Sequence, residues 1–176
     1  MTPEKGIRYE GRFLRMVARG QWEYVERQNT TGVVAILAVT EDDRILLVEQ
    51  FRPPVDTTVI EIPAGLAGDI PGEEHEALAT AASRELLEET GYEAGGMSFL
   101  AAGPSSAGLT DECISFFEAT NLRRIGPGGS DSSESITVHE IPLSELRSWL
   151  HSRLENGAMV DPRIYAALAM AGRTIR

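Results

Sequence analysis

Acidic side chains are densest at helical spacing in one stretch of the chain, Glu76 to Tyr92. Glu85 and Glu89 lie one helical turn apart and Glu88 is three residues beyond Glu85, so a helix here crowds these carboxylates on one side of its last two turns. Local energetics oppose that arrangement. Like charges one turn apart repel, and acids near a helix C-terminus oppose the macrodipole, each effect costing from a few tenths to about 1 kcal/mol. Arg84 can pair with Glu88 at i,i+4, whereas Glu85 and Glu89 have no cation within sequence reach. A divalent ion would supply the missing charge. Hard cations such as Mg²⁺ take oxygen ligands and commonly bind through one or two carboxylates together with substrate phosphates. An isolated E-x-x-E-E is more often a solvated acidic face, so the surrounding chain has to decide.

The elements that must position these groups can be read on either side. Residues 73 to 90 are rich in Ala, Leu and Glu, follow Pro71-Gly72 and end at Gly91, which predicts one helix with a glycine at its C-terminal cap. Leu78, Ala79, Ala82 and Leu86 form its apolar stripe. Before it, Arg8 to Ala18 and Trp22 to Gln28 read as strands joined by a turn at Arg19-Gly20. Gly32 to Val39 and Arg44 to Gln50 read as a hairpin whose first strand is buried on both faces, ended by Pro53-Pro54. Val59 to Pro63 is a further strand, and Ala64-Gly65 then brings the backbone close to the acidic helix. After the helix come strands at Met97 to Gly103, Cys113 to Ala119 and Ser135 to Ile141, then helices at Leu143 to Leu154 and Pro162 to Ala171. Asp161 caps the last helix and Asp161 and Arg163 read as a surface pair. The order of strands, helix, strands and helices predicts an α/β class, an α+β mixed-sheet sandwich.

Composition narrows the function classes. A chain of 176 residues with 42% hydrophobic and 24% charged residues can bury one substantial core. A net charge of -11 disfavours nucleic acid or an anionic membrane as a partner, and an anionic substrate would need local Arg or a metal. The one cysteine, Cys113, sits in an apolar run and reads as a buried thiol in a reducing compartment. The polar N-terminus and the short apolar runs predict no signal peptide and no membrane span, hence a cytoplasmic protein. His75, His139 and His151 share no metal-ligand spacing.

Glu76, followed after seven residues by Arg84-Glu85-Leu86-Leu87-Glu88-Glu89-Thr90-Gly91-Tyr92, resembles the signature of the Nudix hydrolases, G-x5-E-x7-R-E-U-x-E-E-x-G-U with U apolar. One position departs from it. The opening Gly belongs at position 70, which is Ile70, and Gly65 lies eleven residues before Glu76 instead of six. We read a five-residue insertion in the loop from Ala67 to Glu74, since loops tolerate length changes. Four further segments resemble the ADP-ribose and nucleoside-diphosphate-sugar pyrophosphatases within that family: Val48 to Pro54, Ile60 to Leu66, Gly108 to Glu112 and Val160 to Tyr165.

The resemblance implies a Nudix fold with an N-terminal β extension, one domain over 1–176 in which 1–30 supplies strands at a dimer interface and 31–176 the catalytic core. It implies Mg²⁺- or Mn²⁺-dependent hydrolysis of the pyrophosphate bond of ADP-ribose or a related nucleotide sugar, giving AMP and a sugar phosphate. The implied metal ligands are the Ala64 carbonyl, Glu85, Glu88 and Glu89, with Glu85 and Glu89 central to catalysis. A general base is implied in the loop before the last strand, where Glu134 and Asp131 are the nearby acids and Glu134 the better match. Arg52 stands where a phosphate clamp is expected, and a guanidinium suits phosphate oxygens. Trp22, Glu23 and Arg27 fall where an aromatic and polar residues meet the adenine, across a homodimer with exchanged N-terminal strands. Two alternatives share this reading of the residues: a Nudix enzyme for a GDP-sugar, dinucleotide or nucleoside triphosphate, and a non-catalytic nucleotide-binding module.

Overall fold

The computed structural model describes residues 4–129 and 135–174. In chain order the elements are β1 (Lys5–Glu10), β2 (Leu14–Arg19), β3 (Trp22–Arg27), β4 (Gly32–Ala38), β5 (Arg44–Arg52), β6 (Thr57–Glu61), β7 (Ala64–Ala67), α1 (Leu78–Thr90), β8 (Tyr92–Pro104), β9 (Cys113–Arg124), β10 (Thr137–Pro142), α2 (Leu146–Glu155), β11 (Met159–Val160) and α3 (Arg163–Met170).

The run Val33 to Ala38 lacks polar alternation and is buried throughout, as a strand covered on both faces must be. It is a central strand of a sheet ordered β7-β4-β9-β8, antiparallel to β7 and parallel to β9. The expected hairpin with β5 does not form. β5 instead lies inside a second sheet, β10-β5-β6-β11, and Val39 meets Ile45 only through an isolated bridge. The reason is that both strands are apolar on two faces, so each gains more from a central place in its own sheet than from a shared edge. Val33, Ala35 and Leu37 join Ile45, Leu47, Ile60 and Ile62 in one core, to which α2 adds Leu146 and Leu150 and α3 adds Ile164 and Leu168. Val34, Ile36 and Ala38 pack with Ala81, Ala82 and Leu86 of α1 in another. The acidic helix is thus fixed by its apolar stripe against β4.

Other departures from the sequence reading have local causes. The stretch Arg8 to Ala18 divides into β1 and β2, with Gly11 N–H bonded to Leu14 O at the turn. Helix α1 starts at Leu78, five residues late, because Gly72 adopts φ +92° and donates its N–H to the Glu74 carboxylate in a turn. β7 and β11, of four and two residues, are too short to show alternation. Cys113 is exposed at the first position of β9, outside the buried run that begins at Ile114. The Asp161 cap is present: its Oδ1 accepts from Arg163 N at 2.7 Å. Among the described residues no helix is long and apolar enough to cross a membrane.

Candidate active site

Helix α1 ends on Gly91 at φ +75°, whose N–H bonds Leu87 O. Its last two turns bring Glu85 and Glu89 to a cavity of about 930 Å³, within the size range of ligand sites. The backbone from β6 to β7 faces them. Gly65 approaches so closely that a Cβ there would stand 2.0 Å from Glu85 Cδ, so no other residue fits without moving that carboxylate. Ala64 N–H donates to Glu89 Oε2 at 3.1 Å, which sets the Pro63–Ala64 peptide against the carboxylate.

The charges divide unevenly. Arg84 reaches Glu85 at 2.8 Å, Glu88 and Glu76 at 3.2 Å, and the Leu66 carbonyl at 2.9 Å, tying the preceding loop to the helix. Glu85 therefore has a cation, contrary to the sequence reading, because its side chain turns back beside Arg84. Glu88 is also paired there, and its side chain is 56% exposed and away from the cavity. Glu89 makes no ion pair among the described residues. Burial pushes its carboxyl up to about 8, assisted by Glu85 and Glu61, against the opposing Ala64 N–H and Arg52. Burial also raises Glu85, with Arg84 opposing.

Arg27 and Arg52 line the same cavity, and so do Glu61, Glu112, Asp161 and Arg163. Arg27 Nε pairs with Glu112 Oε2 at 2.9 Å, and Arg52 Nε with Glu61 Oε2 at 2.7 Å. Asp161 and Arg163 are not a surface pair: they form part of the cavity wall, and Arg163 bonds the buried Glu61 at 2.7 Å. Glu61 was missed by the sequence reading, although it lies inside the quoted Ile60 to Leu66 segment. Trp22, 64% exposed, and Glu23 stay on the outer surface of β3, away from this cavity. Asp131 and Glu134 lie outside the described residues.

The donor set suits a hard cation. Glu85 and Glu89 offer carboxylate oxygens, the second buried and without a countercharge, and Ala64 lines the same cavity with its N–H on Glu89. Among the described residues no three His, Cys, Asp or Glu side chains gather as a metal cluster, so backbone or substrate oxygens would have to complete the shell.

The family model described as "NUDIX domain" matches residues 29–167. The chain belongs to the Nudix family. The Nudix signature read from Glu76 to Tyr92 thus stands on α1 and the residues flanking it, with Glu85 and Glu89 at the cavity. Over 161 residues the chain is 33% identical to a methanol dehydrogenase activator of Bacillus methanolicus, covering 85% of this chain and 84% of that one. It is 39% identical over 123 residues to an ADP-ribose pyrophosphatase of Bacillus subtilis, covering 69% and 64%. The solved structure titled "Crystal structure of ADP compounds hydrolase" superposes with a TM-score of 0.72 over 98% of this chain and 93% of that one. At 20% identity that likeness establishes the Nudix fold, the mixed α/β class expected from the order of elements.

Proposed function

We propose that the protein hydrolyses the pyrophosphate bond of ADP-ribose or a related nucleoside diphosphate sugar, releasing AMP and a sugar phosphate. One observation carries the reading: a buried, uncompensated Glu89 shares a cavity with Glu85 and with arginines at 27, 52 and 163. Carboxylates for cations and guanidiniums for anions are both required to handle a diphosphate. The ADP-ribose pyrophosphatase likeness supports the substrate class.

In this mechanism Glu85, Glu89 and the Ala64 carbonyl would hold Mg²⁺ or Mn²⁺, while Glu88, bonded to Arg84, helps keep the helix end in place. Held there, such an ion would supply charge neutralisation at phosphate oxygens and a lowered pKa for a water. Arg52 orients a phosphate, its Nε anchored on Glu61. Apolar Val33, Leu66, Ile114 and Phe116 on the cavity wall limit competing water. Glu134 would accept the proton of the attacking water, the role the Nudix resemblance implies for it. A second copy of the chain is proposed to cover the separate three-stranded sheet β1-β2-β3, where Ile7, Tyr9, Phe13, Leu14 and Trp22 are all exposed. Trp22 would then reach the adenine of the neighbouring subunit.

Incubation with Mg²⁺ and a panel of ADP-ribose, a GDP-sugar, a dinucleotide and nucleoside triphosphates tests the assignment. ADP-ribose should be consumed fastest and yield AMP, and the active species should scatter at twice the 19.1 kDa chain mass. Preferential loss of pyrophosphate from a triphosphate would assign a different Nudix specificity, and no turnover of any member would favour a binding module.

A further inference from the structure

Three arginines line the cavity, and the way two of them share one acid is informative. Glu61 is 4% exposed at the end of β6. Its Oε2 takes Arg52 Nε at 2.7 Å, and its Oε1 takes Arg163 Nη2 at 2.7 Å. Arg163 is fixed in turn by Asp161, whose Oδ2 accepts Arg163 Nε at 2.7 Å and whose Oδ1 caps the helix through Arg163 N–H at 2.7 Å. A carboxylate with both oxygens available commonly takes a guanidinium side-on through two parallel bonds. Arg163 blocks that here. Arg52 spends only its Nε, and among the described residues neither of its Nη groups makes a hydrogen bond.

We propose that Arg163 is a positioning residue: by holding one oxygen of Glu61 it prevents a two-bond Arg52–Glu61 pair and keeps the Arg52 Nη groups turned to the cavity for a substrate phosphate. Removing Arg163 leaves a buried carboxylate oxygen without a donor, a state that costs free energy until a partner is found. Arg52 is the cation already bonded to that carboxylate. Its rotation into the side-on pair withdraws it from the anion. The charge of the cavity alone does not explain this arrangement, since Arg163 is balanced locally by Asp161.

The inference rests on the diphosphate-sugar reading, and the test separates the two. Steady-state kinetics on ADP-ribose and equilibrium binding of inorganic pyrophosphate, both at fixed Mg²⁺, are compared for wild type, Arg163→Met, Arg163→Lys and Asp161→Asn. Arg163→Met should raise KM about tenfold or more with kcat changed less than about threefold, since a contact made equally in ground and transition states appears in KM. Pyrophosphate binding should weaken in parallel. Arg163→Lys, which can still donate to Glu61 Oε1, should recover most of both. Asp161→Asn keeps an oxygen for the helix cap and loosens the guanidinium, so KM should rise by roughly threefold. A fall in kcat alone with unaltered pyrophosphate binding, or no change in KM for Asp161→Asn, overturns the proposal even if Arg163→Met does not fold. If wild type turns over no nucleotide, the functional reading fails, and pyrophosphate binding alone still decides the role of Arg163.

Discussion

Glu89→Gln is expected to lower turnover of ADP-ribose by roughly 10³ or more while leaving the metal-free protein as stable as wild type, or more stable, at pH 8. The two effects have one cause. Glu89 is buried, has no ion-pair partner among the described residues, and its carboxyl is pushed up to about 8 by that burial and by Glu85 and Glu61. An acid whose folded pKa exceeds its unfolded one binds more protons when folded, so its contribution to stability falls as pH rises between the two values. For Glu89 that window runs from 4.5 to about 8. Melting in chelator should therefore show wild type losing more Tm than Glu89→Gln between pH 5.5 and 8, other titrating groups cancelling in the comparison. With Mg²⁺ present the order reverses, because an ion that binds only the folded state stabilises it and the variant holds that ion poorly. A variant with normal turnover would remove Glu89 from the site.

Gly65→Ala is expected to cost about 10²-fold or more in kcat with only a modest change in Tm. The added Cβ would lie 2.0 Å from Glu85 Cδ and 2.3 Å from both of its oxygens. What must move is the end of a flexible side chain, not the backbone, so the fold can adapt at small cost. The carboxylate cannot stay where it is, and a misplacement of about 1 Å at a reacting centre is enough for a loss of that order. Added Mg²⁺ should recover part of the rate if affinity alone has suffered. Equal losses of activity and Tm would instead show that Gly65 matters for folding.

The parts of this site legible in the sequence are those set by local spacing. Glu85 and Glu89 follow from the helical repeat, and the close pass of Gly65 follows from a glycine placed directly after an apolar strand. Three-dimensional pairing was not legible. Arg163 meets Glu61 across 102 residues and Arg27 meets Glu112 across 85, separations at which no periodicity connects the partners. Strand membership failed for the same reason: the short link between β4 and β5 suggests a hairpin, whereas burial of both faces of both strands assigns them to different sheets. Cys113 opens β9 as expected but is exposed, since burial in that strand starts at Ile114.

The central claim is that water attacks phosphorus in a nucleotide sugar held at this cavity. Hydrolysis of ADP-ribose in ¹⁸O-enriched water with Mg²⁺, followed by mass analysis of the products, tests it most directly. The account predicts AMP and ribose 5-phosphate, with one ¹⁸O per turnover carried on a phosphate group. Release of ADP and free ribose, with no label on any phosphate, would contradict it.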